Sequence, residues 1–380
     1  MDISRASLES DWEAFLQSQP WTPFLQSFPM GEVYRRIGEE PVRLEVRERA
    51  GARIVGICQA IVVPAKRGKH LAIMYGPVFR DGLSEELRVS SFWLLVDALK
   101  QVAREKNCTF IRMSPFWQQN SHGETSNQKL ITRNSSKPGF RPSPLHLLAE
   151  HIWFLDLRGK SEEDIRKGMR STTRNLIGRA EREGVTIELS PDPVRDLPHF
   201  LALHDETRKR HGFTPYTNDF FRAQVEIFSK PSSSGVTLSG VEGPSLSRCA
   251  LYLARYNGEV VSASIHMVYG GETSYHHGAS TFKYSKIPAS YLLQWRAIQD
   301  ALKRGDRVYN FWGVAPVKMD NGKWIMDNAT KKHPFSGVTT FKTGFGGELL
   351  ELQHCMDLPL SKKYVLTWGI ETFRKWRRGF

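Results

Sequence analysis

Arg43–Arg47 alternates polar and apolar residues, Ala50–Gly51 reads as a turn, and the β-branched run Arg53–Val63 reads as its partner strand. His70–Tyr75 continues as a third strand. Ser84 then opens a helix whose apolar face is Leu87, Ser91, Leu94, Leu95, Ala98 and Val102. Asn107 ends it, and Cys108–Met113 returns as a strand. The second half repeats the plan. Ala250–Tyr256 and Val260–Val268 are strands joined by Asn257-Gly258, a pair suited to a two-residue hairpin because both residues tolerate positive φ. After Gly270-Gly271 comes the strand Thr273–His277. Leu292, Trp295, Ile298 and Leu302 then recur at helical spacing, Gly305 stops the helix, and Val308–Trp312 is again a strand.

A plan that occurs twice predicts a duplicated pair of lobes, since a solenoid needs more copies. Between the copies Ser161–Gly184 reads as one helix, opened by a capping box of Ser161 with Asp164 and closed by Gly184. Helices follow over Asp196–His211 and Asn218–Ser229, the latter with Asn218 as N-cap. A last one runs from about Ser361 to Arg377 with Val365, Trp368, Thr372 and Trp376 inward. Asn120–Pro144 and Lys230–Ser247 are polar or low-complexity and read as surface insertions. The expected division is 1–155, 156–360, and a basic amphipathic helix over 361–380 that packs on the first lobe.

Composition adds the class of partner. The chain has 380 residues, 40% of them hydrophobic, enough for two cores. No run approaches the roughly 20 apolar residues of a membrane span, and the first residues carry no signal-peptide core, so a cytoplasmic protein is expected. A net charge of +13 favours an anionic partner: nucleic acid, a phosphorylated substrate or an anionic membrane surface. Cys58, Cys108, Cys249 and Cys355 are scattered through apolar segments and read as reduced core residues.

The chemistry is narrowed first by exclusion. Dinucleotide, Walker, zincin and nucleophile-elbow motifs are absent from the sequence. The histidines lack ligand spacing, and His276 and His277, adjacent on a strand, are expected on opposite faces. No metal and no cofactor are therefore expected. Hairpin-rich mixed sheets with a helix leading into a closing strand are similar to the GNAT acyltransferase core. The fold class expected is α/β (α+β mixed sheets) in two tandem GNAT-like lobes. The glycine-rich loop that cradles coenzyme A pyrophosphate is not found, which favours another acyl donor.

Three segments carry candidate chemistry. Phe335–Gly347 reads as a glycine-rich turn with Lys342 between Phe341 and Phe345; a lysine among aromatics is either a surface cation packed over rings or a desolvated charge acting on a developing anion. The 158–182 stretch gathers Arg166, Lys167, Arg170, Arg174, Arg179 and Arg182, either as helix-dipole complements or as a phosphate-binding face. At the C-terminus Arg374, Lys375, Arg377 and Arg378 stand among aromatics, which suits a helix end, tRNA phosphates or an anionic membrane.

Taken in order, Phe24-Leu25-Gln26-Ser27, Tyr75-Gly76-Pro77-Val78, Arg170–Val185, Glu206–Phe213, Tyr275–Ser280 with Pro288-Ala289 and Leu293-Gln294-Trp295, and Thr340–Glu351 resemble the Fem-type (FemABX) peptidoglycan cross-bridge aminoacyltransferases. The resemblance implies two GNAT-like lobes, in a short form without a long helical hairpin. It also implies an aminoacyl-tRNA donor and an amine on the stem peptide of a peptidoglycan precursor as acceptor. By resemblance Lys342, beside Phe341, stabilises charge during transfer, and Tyr75, Asp81, Thr214 and Tyr275 contact the precursor. Tyr34 and Tyr216 stand where some members hold the precursor diphosphate with basic residues; Arg35, Arg36 and Arg210 lie close enough to substitute. Arg170, Arg174 and the C-terminal cations are the tRNA or anion contacts. The acceptor stays open between nucleotide-linked, lipid-linked and a different amine, with peripheral contact at the inner membrane surface. The alternative function is an N-acyltransferase using acyl-CoA or another thioester.

Overall fold

The structure is a computed structural model and describes all residues except 7, 22, 50–51, 66–67, 120–138, 212–215, 231–246, 321–322 and 379–380. Both loops expected around 120–144 and 230–247 therefore lie largely outside the described residues. The chain forms two compact units, Met1–Glu150 with Leu350–Phe380, and His151–Leu349.

In the first unit the strand pairing follows the alternation of the sequence. Glu40–Arg47 pairs antiparallel with Ile54–Val63, which pairs antiparallel with His70–Met74. The helix Glu85–Glu105 then crosses over, and Phe110–Ser114 returns parallel to His70–Met74. Ser84 caps this helix by accepting from the Leu87 N–H, and Asn107 leaves it with φ +55°. Leu44, Ile73, Leu95, Leu99 and Ile111 meet in one core.

The second unit repeats this order with Ser247–Tyr256, Glu259–Tyr269 and Glu272–Ser280 antiparallel, the helix Ala289–Arg304, and Val308–Gly313 parallel to Glu272–Ser280. Asn257 and Gly258 have φ +50° and +80°, the conformation required of a tight hairpin, and Gly305 leaves the helix at φ +77°. The Ser161–Asp164 capping box is present. All four cysteines are free and buried.

The ends of the units are exchanged along the chain. Met356–Pro359 pairs with Phe110–Ser114 in the first sheet, whereas His151–Asp156 pairs with Val308–Gly313 in the second. The expected boundaries stood at 155 and 360; the compact units divide after Glu150 and after Leu349.

Four local expectations are corrected. The Ser161–Gly184 helix is two helices, Glu162–Gly168 and Ser171–Arg182, because Met169 turns to extended backbone and is buried in the core. Thr217, not Asn218, is the N-cap, its side chain accepting from the Phe220 N–H. Phe335–Gly347 is not an open turn: Ser336–Thr343 is helical. The glycines act after it, at Gly346 (φ +81°) and Gly347 (φ +98°), where a Cβ at Gly346 would stand 2.6 Å from the Gly168 carbonyl oxygen.

The fourth concerns the C-terminal helix Tyr364–Arg378, which faces the other way from the expected register. Its buried positions are Tyr364, Thr367 and Glu371, while Val365, Leu366, Trp368 and Trp376 are 68%, 71%, 43% and 77% exposed. The polar side wins burial because Arg112 waits there. Its guanidinium donates to Asp357 at 2.7 and 2.8 Å and to Glu371 at 2.6 Å, and the Tyr364 hydroxyl donates to Asp357 at 2.8 Å. A buried arginine without these partners would carry a penalty of several kcal/mol. No helix among the described residues is long and apolar enough to cross a membrane.

Candidate active site

In the second unit Lys342 lies near the end of the helix Ser336–Thr343 and is 7% exposed. Its Nζ donates to the Gly313 carbonyl oxygen at 2.7 Å and stands 5.6 Å from the centre of the Tyr275 ring. Loss of water pushes the ammonium down to about 7, so this is a desolvated cation and not a surface lysine draped over rings. Phe341 packs edge-on against Tyr291 and Phe345, with centroids 4.8 and 5.5 Å apart. It anchors the helix that carries Lys342.

Tyr275 is held from behind by His266, Tyr309 and Gln294. Its ring stacks on His266 at 5.4 Å. The Tyr309 hydroxyl donates to Gln294 Oε1 at 2.7 Å, so at 2.9 Å His266 Nε2 is the donor to the Tyr309 oxygen. Burial holds His266 down at about 3 and Tyr275 up at about 12, so both rings are neutral around neutral pH. For His266 and Tyr309 the sequence signal was a polar residue at a position patterned for the core, whereas Gln294 also stood in the motif Leu293-Gln294-Trp295.

His276 and His277 are not on opposite faces. The register skips between the pairs Ile265–His277 and His266–Tyr275, so the strand bulges at His276 and the two imidazole centroids come within 3.9 Å. Burial depresses His276 to about 3 and His277 well below its ordinary value. Tyr216, exposed, stacks on Phe220 at 4.2 Å and meets the His277 ring edge-on at 5.5 Å.

Beside the lysine helix lies a cavity of about 450 Å³ lined by Arg170, Trp324, Ile325, Met326, Lys331 and Thr343, with Val317. Arg170 donates to the Thr340 carbonyl at 3.4 Å and to the Thr343 hydroxyl, which ties its charge to the wall of this cavity. Arg174 differs: its guanidinium donates to the carbonyls of Arg166 and Met169, closing the end of the preceding helix. That is the helix-dipole use of the arginine.

The remaining predicted residues are in the first unit or beyond description. Tyr75 is buried, with its hydroxyl donating to the Ala149 carbonyl at 2.7 Å, so it serves the core. Asp81 is exposed, its backbone N–H donating to Gln19 Oε1 at 2.8 Å. Arg35 pairs with Glu32 at 2.9 Å, and Arg36 is exposed on the same helix. Tyr34 is buried, its hydroxyl on Met74 Sδ at 3.1 Å. Arg374, Lys375 and Arg377 are exposed on the C-terminal helix. Thr214 and the side chains of Arg210 and Arg378 are outside the described residues.

Two units of three antiparallel strands, a crossover helix and a parallel strand, one of them holding a desolvated lysine over a tyrosine ring, define a tandem GNAT-like acyltransferase. Known structures agree on the fold. The chain is similar to a crystal structure of FemX, with a TM-score of 0.73 and 16% identity over 98% of this chain and 100% of that one. It is also similar to a tandem GNAT protein from the clavulanic acid biosynthesis pathway, with a TM-score of 0.53 and 11% identity over 94% of this chain and 98% of that one. Aminoacyltransferase FemA of Staphylococcus aureus strain MW2 is 22% identical over 93% of this chain and 94% of its own length. The FemAB family model matches residues 8–242 and 249–371, and the chain belongs to the FemAB family. It is accordingly an aminoacyltransferase of peptidoglycan cross-bridge synthesis.

Proposed function

We propose that the protein transfers an amino acid from aminoacyl-tRNA to an amine on the stem peptide of a peptidoglycan precursor, with Lys342 as the oxyanion-stabilising cation. The observation that carries this reading is the burial of Lys342 against Tyr275 and the Gly313 carbonyl. In the reaction the acceptor amine attacks the ester carbonyl of the charged tRNA. A tetrahedral oxyanion forms, the amine loses its proton, and the ribose hydroxyl leaves protonated. A fixed ammonium in a water-poor site acts on that oxyanion more strongly than it would in water. Arg170 and Lys331 line the neighbouring cavity and suit the phosphates of a nucleic-acid donor end, with Trp324 as a stacking surface. Asp81, Arg35, Arg36, Arg210, Thr214, Tyr216 and Tyr275 are the proposed acceptor contacts.

The lipid-linked acceptor is the form we favour, with the protein working peripherally at the cytoplasmic face of the membrane. What supports this is the C-terminal helix, which exposes Val365, Leu366, Trp368, Phe373 and Trp376 beside the exposed cations Arg374, Lys375 and Arg377. An apolar face flanked by cations binds an anionic membrane interface.

The test is incorporation of labelled amino acid from a charged tRNA pool into lipid-linked and nucleotide-linked pentapeptide precursors. Transfer that is strongest with the lipid-linked acceptor is expected. Failure with every charged tRNA would sink the reading, and saturable thermal stabilisation by acetyl-CoA but not by tRNA would replace it with a thioester donor.

A further inference from the structure

A second group of chemistry-bearing side chains lies in the first unit, and neither transfer nor membrane contact uses it. His146 and Glu150 precede the crossover into the second unit, and His354 follows the return. His146 Nδ1 and His354 Nδ1 each stand 2.9 Å from the same oxygen, Glu150 Oε2. The two imidazoles meet edge-on with centroids 5.1 Å apart. One ligand atom from each of the three residues lies within 4.8 Å of the others.

The directions of the hydrogen bonds make this more than a polar cluster. His354 Nε2 is 3.0 Å from the Ser143 carbonyl oxygen. A carbonyl has no proton to give, so Nε2 carries the hydrogen. Neutral His354 then points the Nδ1 lone pair at a carboxylate oxygen, an acceptor facing an acceptor. The other carboxylate oxygen is already used, since the Cys355 N–H donates to Glu150 Oε1 at 2.8 Å. A positive centre belongs where Oε2 and the two Nδ1 atoms converge.

We propose that this centre is a divalent zinc-type cation bound by His146 Nδ1, His354 Nδ1 and Glu150 Oε2. Two imidazoles and one carboxylate are a donor set that zinc takes readily. Bonds of about 2.0–2.1 Å place neighbouring donors of a tetrahedral site roughly 3.3 Å apart. The observed spacings bracket that value, and His146, half exposed, has room to adjust. Its exposure also leaves the fourth position to water. The Ser143 carbonyl on His354 and the Cys355 N–H on Glu150 act as outer contacts that fix the tautomer and aim the carboxylate. The ion would clasp the C-terminal segment to residues 141–150, joining parts of the first unit that the sequence separates by 204 positions.

The test uses the full chain, stripped with a chelator and titrated with zinc sulfate by calorimetry and metal analysis. One equivalent is expected to bind saturably and to raise the thermal midpoint. His146→Ala, at an exposed position that should leave folding intact, is expected to lose about 100-fold or more in affinity. His199→Ala, exposed and on the second unit, is expected to bind as the parent does. Cobalt in place of zinc should give visible d–d absorption in the parent and not in His146→Ala. The proposal is overturned by the absence of a saturable equivalent, or by wild-type affinity in both His146→Ala and His354→Ala. It is equally overturned by a thermal midpoint that follows pH but not zinc, which would mean that a proton on His354 fills the place.

Discussion

A single ammonium sets the expected behaviour of the second unit. Lys342 is depressed to about 7 by burial, far below its unfolded value. Below pH 7 it is charged in both states, and the folded protein bears the full desolvation cost. Between about 7 and 10.5 the unfolded chain holds more protons, so stability rises with pH. Lys342→Met is therefore expected to melt above the parent at pH 6.5, with the gap closing towards pH 10, as calorimetry at several pH values would record. The same substitution should lower the transfer rate by a factor on the order of 10²–10³. Activity that depends on the cation should fall as pH rises through about 7, and Lys342→Arg should move that alkaline limb upward. Tyr275 can be displaced without touching the lysine. A Cβ at Gly278 would collide with the Tyr275 hydroxyl, so Gly278→Ala should cost about 1–3 kcal/mol by denaturant titration and reduce transfer. Unchanged activity in Gly278→Ala would separate Tyr275 from catalysis.

At the scale of elements, the C-terminal helix shows how one polar contact overrides hydrophobic patterning. Apolar periodicity predicted its aromatic side inward. Instead Glu371 and Thr367 are buried, because Arg112 sits on a central strand with Asp357 and needs the second carboxylate. Glu371→Ala should cost about 3 kcal/mol, since it leaves a buried guanidinium short of a partner. Native-state hydrogen exchange should then show Tyr364–Arg378 opening ahead of the rest of the first unit. The lysine helix teaches a related lesson. Glycines made Phe335–Gly347 look like a turn, yet they only end the helix, and what positions Lys342 is the packing of Phe341 and Phe345 around Tyr291.

For the molecule as a whole, a net charge of +13 and an outward apolar helix face act together. Binding to vesicles rich in anionic lipid is expected, and it should weaken with salt. Leu366→Asp combined with Trp376→Glu should abolish sedimentation with those vesicles while leaving the melting temperature within a few degrees, because both side chains are exposed. Transfer to a nucleotide-linked acceptor should survive these changes, whereas transfer to a lipid-linked acceptor should drop. Equal loss with both acceptors would argue against membrane contact as the purpose of the helix.

The repeated order of strands, helix and strand was legible because each step has a local cause: alternation for the strands, Asn257-Gly258 for the hairpin, Gly305 for the helix end. Lys342 was legible as a candidate from its aromatic neighbours and from the order of motifs along the chain. What the tertiary structure decided is everything that needs distant residues to meet. The His276 bulge, the support of Tyr275 by His266, Tyr309 and Gln294, and the capping use of Arg174 all follow from pairing partners that no local pattern specifies. The same is true of Met356–Pro359 joining the sheet of the first unit, and of His146, Glu150 and His354 meeting. Local sequence sets which backbone forms are cheap, but burial and the pairing of charges are settled only when the chain closes on itself.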